Sequence, residues 1–214
     1  MIGMLALAFC VRRMIVDFKE RIQKEMSEAI VKAILEDAGY RVIDFGIERV
    51  LRELSCLTAD QYNALGFPDA ARRLPDFTVL TREQDKKFLV EVKYRKAFDL
   101  GLLQCEEIQE QISIFGELYL VCINGTAPDP YGYGSPRRFV PGCRLSRRNG
   151  VPAIHARVRQ GSCRWTAIGA LKDDENLWWK MSPLSELFET VNDFRYGQQV
   201  DKSVEALVEM LPAA

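Results

Sequence analysis

The sequence predicts an α/β protein, a mixed central sheet flanked by helices with a C-terminal α+β extension. Three observations lead there. Apolar residues recur with helical spacing over 17–38 and stop at a glycine. Two short apolar runs, 75–80 and 88–94, are separated by seven polar and charged residues, as a hairpin loop requires. A helical stretch then leads into a further apolar run at 117–123. The resulting order is helix, strand, helical insertion, strand, strand, helix, strand.

Each element has a local reason. In the first helix Phe18, Ile22, Met26, Ile30, Ala33 and Ile34 fall at three- and four-residue steps, which places them on one face. Gly39 sits where a helix C-cap belongs, because glycine enters the left-handed conformation without a Cβ penalty. Residues 40–47 alternate in part and read as a strand. Helical segments are expected over 48–54 and 58–65, the second capped by Thr58, followed by a turn at 66–69. Arg72 and Arg73 lead into the hairpin. A helix is expected over about 102–115, then the strand 117–123, ended by Asn124-Gly125. The proline- and glycine-rich stretch 128–136 is a loop. Segments 153–158 and 164–171 read as short strands, a hairpin added to the sheet, and 173–176 as a turn. Ser182 as N-cap with Pro183 at the first helical position predicts a helix to about Phe194. A last amphipathic helix, about 200–211, would cover the sheet or meet a partner.

Length and composition set the outer bounds. A chain of 214 residues is one domain, or one core plus an extension. Its 48% hydrophobic content is ample for a core, and 28% charged residues argue against general disorder. We divide it into an apolar extension (1–13), a core (14–124), and a basic loop and strand region with terminal helices (125–214) that completes the same domain. The extension is too short to span a bilayer, and its Arg12-Arg13 follow the apolar run where a signal peptide would have charge before it. It reads either as a packing or oligomerisation segment or as a peripheral extension. The six cysteines (10, 56, 105, 122, 143, 163) form no CxxC pair, which argues against structural zinc or a disulfide framework and suits a reducing, cytoplasmic setting; no membrane partner is expected. The single histidine, His155, makes histidine catalysis improbable and is expected on the surface or in a loop.

The net charge of −1 is unevenly spread. Between Asp129 and Asp173 there is no acid, while Arg137, Arg138, Arg144, Arg147, Arg148, Arg157, Arg159, Arg164 and Lys172 give +9, leaving −10 for the rest. With Tyr131, Tyr133, Phe139 and Trp165 nearby, this stretch could neutralise phosphates and stack on bases. Arginine's planar fork suits phosphate. Alternatively, these arginines pair with acids elsewhere in the chain.

The chemistry is concentrated in the hairpin. Side chains alternate along a strand, so Glu91 and Lys93 project to one side and Val90 and Val92 to the other. Val90 and Val92 can enter a core, and Asp76 lies near Glu91 if the strands pair. Two carboxylates and an ammonium at one point can hold a divalent cation and orient a water.

Pro75-Asp76 followed by Glu91-x-Lys93 resembles the signature of the PD-(D/E)xK nuclease superfamily. The helix Ser27–Ala38 with Gly39-Tyr40-Arg41-Val42 is similar to the start of Holliday-junction resolvases and related nucleases, where a glutamate opens the helix. Glu28 takes that place, with Glu36 as an outside candidate. The resemblance covers roughly 17–124 and implies a restriction-endonuclease-like fold. It implies that Asp76 and Glu91 bind Mg²⁺ or Mn²⁺, with the Val92 carbonyl as a further ligand and Glu28 completing the site directly or through water. Lys93 would position the attacking water or stabilise the transition state. Members of this fold often carry a glutamine or lysine on the next helix. Gln104, Gln109 and Gln111 are candidates, and Gln111 with Phe115 matches the Gln-x-x-x-aromatic pattern of some branches.

Taken together, these features lead us to expect a Mg²⁺-dependent nuclease hydrolysing phosphodiester bonds, foremost in DNA, with Arg72, Arg73, Arg137, Arg138, Arg144, Arg147 and Arg148 contacting nucleic acid. Cutting both strands usually needs two sites, so a homodimer or larger nuclease assembly is a further expectation. The alternative, from another class, is a nucleic-acid-binding or assembly subunit that keeps the fold without turnover. The bland reading is a solvated Glu-x-Lys pair, with Glu28 and Lys32 as an ordinary helix pair.

Overall fold

A computed structural model describes residues 18–46, 59–125, 140–159, 162–172 and 177–192, with Lys202 and Ala206. Helix α1 (Phe18–Asp37) leads into strand β1 (Arg41–Asp44). Helices α2 (Ala59–Ala64) and α3 (Asp69–Arg72) precede strands β2 (Phe77–Leu80) and β3 (Lys87–Arg95). Helices α4 (Leu100–Gln104) and α5 (Glu106–Phe115) carry the chain to β4 (Glu117–Asn124). Strands β5 (Pro141–Arg148), β6 (Val151–Arg159) and β7 (Ser162–Ala167) form a meander. After 3₁₀ turns at Ile168–Ala170 and Leu177–Lys180 come the short strand β8 (Ser182–Pro183) and the one-turn helix α6 (Leu184–Leu187).

The fold is α/β, an open, mostly antiparallel mixed sheet flanked by helices. Neighbouring strands follow chain order from β1 to β7, and β8 joins β5. Among the described strands only β3 and β4 run parallel. A parallel pair needs a crossover, and α4 and α5 supply it.

Each face of the sheet has its own core. On one, Val90 and Val92 join Phe77, Val79, Tyr119, Val121 and Ile123 beneath Val31, Ile34 and Leu35 of α1. Phe188 closes this core, its ring 5.7 Å from Tyr40, 5.4 Å from Phe88 and 5.6 Å from Tyr119. On the other face, Leu118, Leu120, Cys122, Cys143, Leu145 and Ile154 lie against Leu102, Leu103, Ile108 and Ile112 of α4 and α5. Cys105, Cys122, Cys143 and Cys163 are free thiols.

Gly39 ends α1 as expected. At φ +91° it donates its N–H to the Glu36 carbonyl (2.9 Å), while Tyr40 donates to Leu35 (3.0 Å). Both bonds of a Schellman cap are therefore present. The buried stripe of α1 differs from the expected one. Gln23, Ser27 and Glu28 are buried in its first half, Ile22, Met26 and Ile30 are half-buried, and Ala33 is exposed. The buried Ser27 is satisfied locally, donating to the Gln23 carbonyl at 2.6 Å.

Several expected boundaries shift for identifiable reasons. The helix expected over 102–115 is two helices, broken where Cys105 is extended (φ −63°, ψ 147°). Asp99 caps the first, accepting the Leu102 N–H at 2.9 Å. Strand β5 was not foreseen, because half its side chains are polar or charged. It turns into β6 through Asn149-Gly150, both at positive φ (52° and 80°), the two-residue turn whose twist matches a hairpin. Strand 164–171 is instead Ser162–Ala167 followed by a 3₁₀ turn. The helix expected from Ser182 to Phe194 is a single turn, because Ser182 and Pro183 pair with Gly142 and Pro141 of β5. His155 lies within β6 rather than in a loop, its ring 5.0 Å from Trp165. The extension 1–13, the segment 48–54, Thr58, the loop 128–136, the turn 173–176 and nearly all of the final helix lie outside the described residues.

Candidate active site

The register of the hairpin builds the site. Phe77 pairs with Val90, and both point into the α1 core. Asp76, one residue earlier, falls at the end of β2, where its backbone carbonyl accepts the Phe45 N–H (2.9 Å). Its side chain accepts the Val92 N–H at 2.8 Å. Asp76 is thus held from both neighbouring strands, and Val92 serves through its amide.

Glu91 and Lys93 leave β3 on the α5 side. Glu91 is 2% exposed, and both of its oxygens are engaged. Oε1 meets Lys93 Nζ at 2.6 Å, and Oε2 accepts from Gln111 Nε2 at 2.8 Å. Lys93 Nζ also reaches Glu107 Oε2 of α5 at 3.2 Å. Gln111 is 1% exposed, and with its Nε2 on Glu91, its Oε1 is buried without a hydrogen-bond partner. A flipped amide would set that oxygen against the Glu91 carboxylate, so the charge on Glu91 decides the orientation.

Glu28 approaches from the α1 side and is buried. Its Oε1 lies 3.8 Å from Lys24 Nζ. The ordinary helix pair of Glu28 with Lys32, the bland alternative, is not what forms: Lys32 binds Asp44 at 2.8 Å.

The carboxylates feel one another. Burial, and then the charge of Glu28, push Asp76 up to about 6, against the opposing pull of Lys24, the Val92 amide and Lys93. Burial and then Asp76 push Glu91 up to about 7, against Lys93. For Lys93, burial alone would lower the pKa, but Glu91 and Glu107 outweigh it and the ammonium is raised above its ordinary value. The carboxylates repel one another in a place where Lys24 and Lys93 do not fully offset them. Such a place favours a further cation, and its carboxylate oxygens are the hard donors that Mg²⁺ or Mn²⁺ prefer. Among the described residues, no three acids, histidines or cysteines are gathered closely enough to form a cation cage. Lys93 Nζ stands on Glu91 Oε1.

The structure brings together Asp76, Glu91, Lys93, Glu28 and Gln111. It leaves Glu36 and Gln104 exposed, and turns Gln109 to the Leu103 carbonyl at 2.5 Å. Glu107 and Lys24 are the additions. Both were visible in principle, since Glu107 lies four residues before Gln111 and Lys24 four before Glu28, one helical turn in each case.

The arginines lie elsewhere. Arg144 pairs with Tyr119 across β4 and β5, on the α1 face and opposite to Glu91 and Lys93. Its Nη2 is 3.1 Å from Glu117 Oε1, and Arg148 Nη2 is 3.7 Å from Glu117 Oε2. Both guanidinium groups sit over the Trp165 ring, at 5.6 and 4.2 Å from its centroid. Arg157 pairs with Glu186 at 3.2 Å. Arg147 is exposed and donates to the Gly150 carbonyl at 2.6 Å. Arg73 pairs with Glu110 of α5. For Arg73, Arg144, Arg148 and Arg157, pairing with acids elsewhere in the chain is therefore what the structure contains. Arg137, Arg138 and the Arg72 side chain lie outside the described residues.

Among the described residues, no helix is long and apolar enough to cross a membrane. No protein-family model, curated protein or solved structure matches the chain.

Proposed function

We propose that the chain is a metal-dependent nuclease with a restriction-endonuclease-like core, hydrolysing phosphodiester bonds, foremost in DNA, by PD-(D/E)xK chemistry. The observation that carries this reading is a buried Glu91 held 2.6 Å from Lys93 Nζ, with Asp76 acting on Glu91 and Glu28 acting on Asp76. Accidental Glu-x-Lys pairs on exposed strands do not bury their glutamate or couple it to a distant aspartate.

Asp76 and Glu91, with Glu28, would hold Mg²⁺ or Mn²⁺. When bound, the ion supplies polarisation of the scissile phosphate and a water of lowered pKa. The chain's own residues set the stage for this. Val92 fixes Asp76 through its N–H, and Gln111 orients Glu91 through Oε2. Lys93 is the nearest cation to the carboxylates on the α5 side. It would position the water or offset charge on the transferring phosphoryl oxygens. The hydrogen bonds to Asp76 and Glu91 are built in before any substrate arrives.

The test is a cleavage assay on single-stranded, duplex and branched DNA and on RNA, with Mg²⁺, Mn²⁺ or EDTA. Asp76→Ala, Glu91→Ala and Lys93→Ala should each abolish metal-dependent cleavage while leaving the fold intact. Full activity in any of the three would refute the assignment. Nucleic-acid binding without cleavage in the wild type would favour the non-catalytic subunit.

A further inference from the structure

We propose that Glu107 is a positioning residue that anchors the Lys93 ammonium when Glu91 is otherwise engaged. This rests on the nuclease reading for its consequence, but its physical content stands apart from it. Lys93 Nζ lies between two carboxylates, 2.6 Å from Glu91 Oε1 and 3.2 Å from Glu107 Oε2. Glu91 has no spare oxygen, since its Oε2 holds Gln111. If Glu91 turns an oxygen to a cation, Lys93 must leave Oε1 or share it, and like charges would then repel.

Glu107 resolves that conflict. It lies in the first turn of α5, while Lys93 is on β3. Its side chain is 46% exposed, against 15% for Lys93. A half-exposed carboxylate can follow the ammonium by rotamer changes at small cost, whereas the buried Glu91 cannot. Lys93 therefore keeps a counter-charge and a direction after losing Glu91. An untethered lysine would sample many rotamers, and losing its orientation would slow a reaction that depends on placement. An acid in the first turn of a helix is also favourable to the helix dipole. That role alone predicts a change in stability and none in Lys93.

The experiment reads the lysine directly, by ¹⁵N relaxation of the Lys93 ammonium group in the full chain without metal or nucleic acid. In Glu91→Gln, which leaves Lys93 only a neutral amide oxygen in place of the competing carboxylate, the Lys93 ammonium should remain ordered. Adding Glu107→Ala should make it mobile, and Glu107→Gln, which keeps an acceptor oxygen, should fall between. A mobile Lys93 in Glu91→Gln alone, or an ordered one in Glu91→Gln/Glu107→Ala, overturns the proposal. Should Glu91→Gln fail to fold, the same measurement on Glu107→Ala with saturating Mg²⁺ decides, with loss of order expected and unchanged order refuting. In the cleavage assay, Glu107→Ala should lower kcat roughly tenfold to a hundredfold with KM unchanged, and Glu107→Gln should recover part of it. A wild type that cleaves nothing sinks the nuclease reading, and the ammonium measurement then judges Glu107 alone.

Discussion

Replacing Glu91 by glutamine should stabilise the metal-free protein, and the gain should grow with pH. The Glu91 carboxyl is pushed from its ordinary 4.5 to about 7, by burial first and Asp76 second. The native state therefore holds this proton more tightly than the unfolded chain does. Stability linked to it is fully present below about pH 4.5 and is lost as pH rises through about 7; above that it changes no further. At about 1.4 kcal/mol for each tenfold in proton affinity, the ionised carboxylate costs about 3 kcal/mol. An amide keeps the shape without the charge. Its oxygen can face Lys93, and its NH₂ can donate to Gln111 Oε1 once that amide flips, which passes the partnerless position from Oε1 to Nε2. Because Asp76 and Glu91 titrate as a pair, Asp76 is relieved too. In EDTA, Glu91→Gln should melt close to wild type at pH 4.5. At pH 8.5 it should melt roughly 6–12 °C higher, using the usual few degrees per kcal/mol for a chain of this size. Saturating Mg²⁺ should close the gap at pH 8.5 by raising the wild type alone. Equal or lower melting of the variant at pH 8.5 in EDTA, or a difference independent of pH, would refute the reasoning.

Three further outcomes follow from the fold. Gly39→Ala should cost about 1 kcal/mol in urea unfolding. A Cβ there meets nothing within 4 Å, so the cost is backbone strain at φ +91° alone, and a neutral result would deny the cap. Phe188→Ala should cost about 3–5 kcal/mol, since its ring is fully buried among Tyr40, Phe88 and Tyr119; a loss under 1 kcal/mol would mean that the C-terminal turn does not close this core. A double-mutant cycle between Arg144→Ala and Glu117→Ala should give about 0.5–1 kcal/mol of coupling, and Arg144→Ala should leave cleavage of a short duplex unchanged. Loss of cleavage at unchanged stability would put Arg144 on the substrate instead.

The parts of the fold that could be read in advance are those in which one local rule decides. Gly39 had a single explanation, and the hairpin 75–94 was bounded by apolar runs and a charged loop. The C-terminal half was harder, because tertiary pairing overrode local preference. Ser182-Pro183 carries the chemistry of a helix start, yet two ladder partners on β5 draw it into the sheet. Strand β5 looked like a basic patch rather than a strand, because Arg144, Ser146, Arg147 and Arg148 interrupt its apolar residues. The signal that would have found it is Asn149-Gly150, a two-residue turn set between Arg148 and Val151. On α1, apolar spacing pointed to a face that is only half-buried, because the helix instead commits Gln23, Ser27 and Glu28 to the interior. A helix that buries polar groups in its first half cannot be recognised from hydrophobic period alone.

The period-2 rule that places Glu91 beside Lys93 also separates both from the arginines. Glu91 and Lys93 share the face of Leu120 and Cys122, their register partners on β4. Crossing to β5, that face carries Cys143 and Leu145, while Arg144 aligns with Tyr119 on the other. Arg148 lies further along β5, beyond Ser146 and its partner Glu117 at the start of β4, whereas Lys93 pairs near the end of that strand. Charge counting along the chain gathers +9 in one segment, but the strand register puts Arg144 and Arg148 on the face away from Glu91 and Lys93 and toward the far end. The cations that do act on the carboxylates are Lys24 and Lys93, both of which pull against the raised pKa of Asp76. In a nuclease reading, contact with the scissile phosphate would therefore fall to these two lysines. Arg144 and Arg148, stacked on Trp165 and paired with Glu117, would serve the sheet itself.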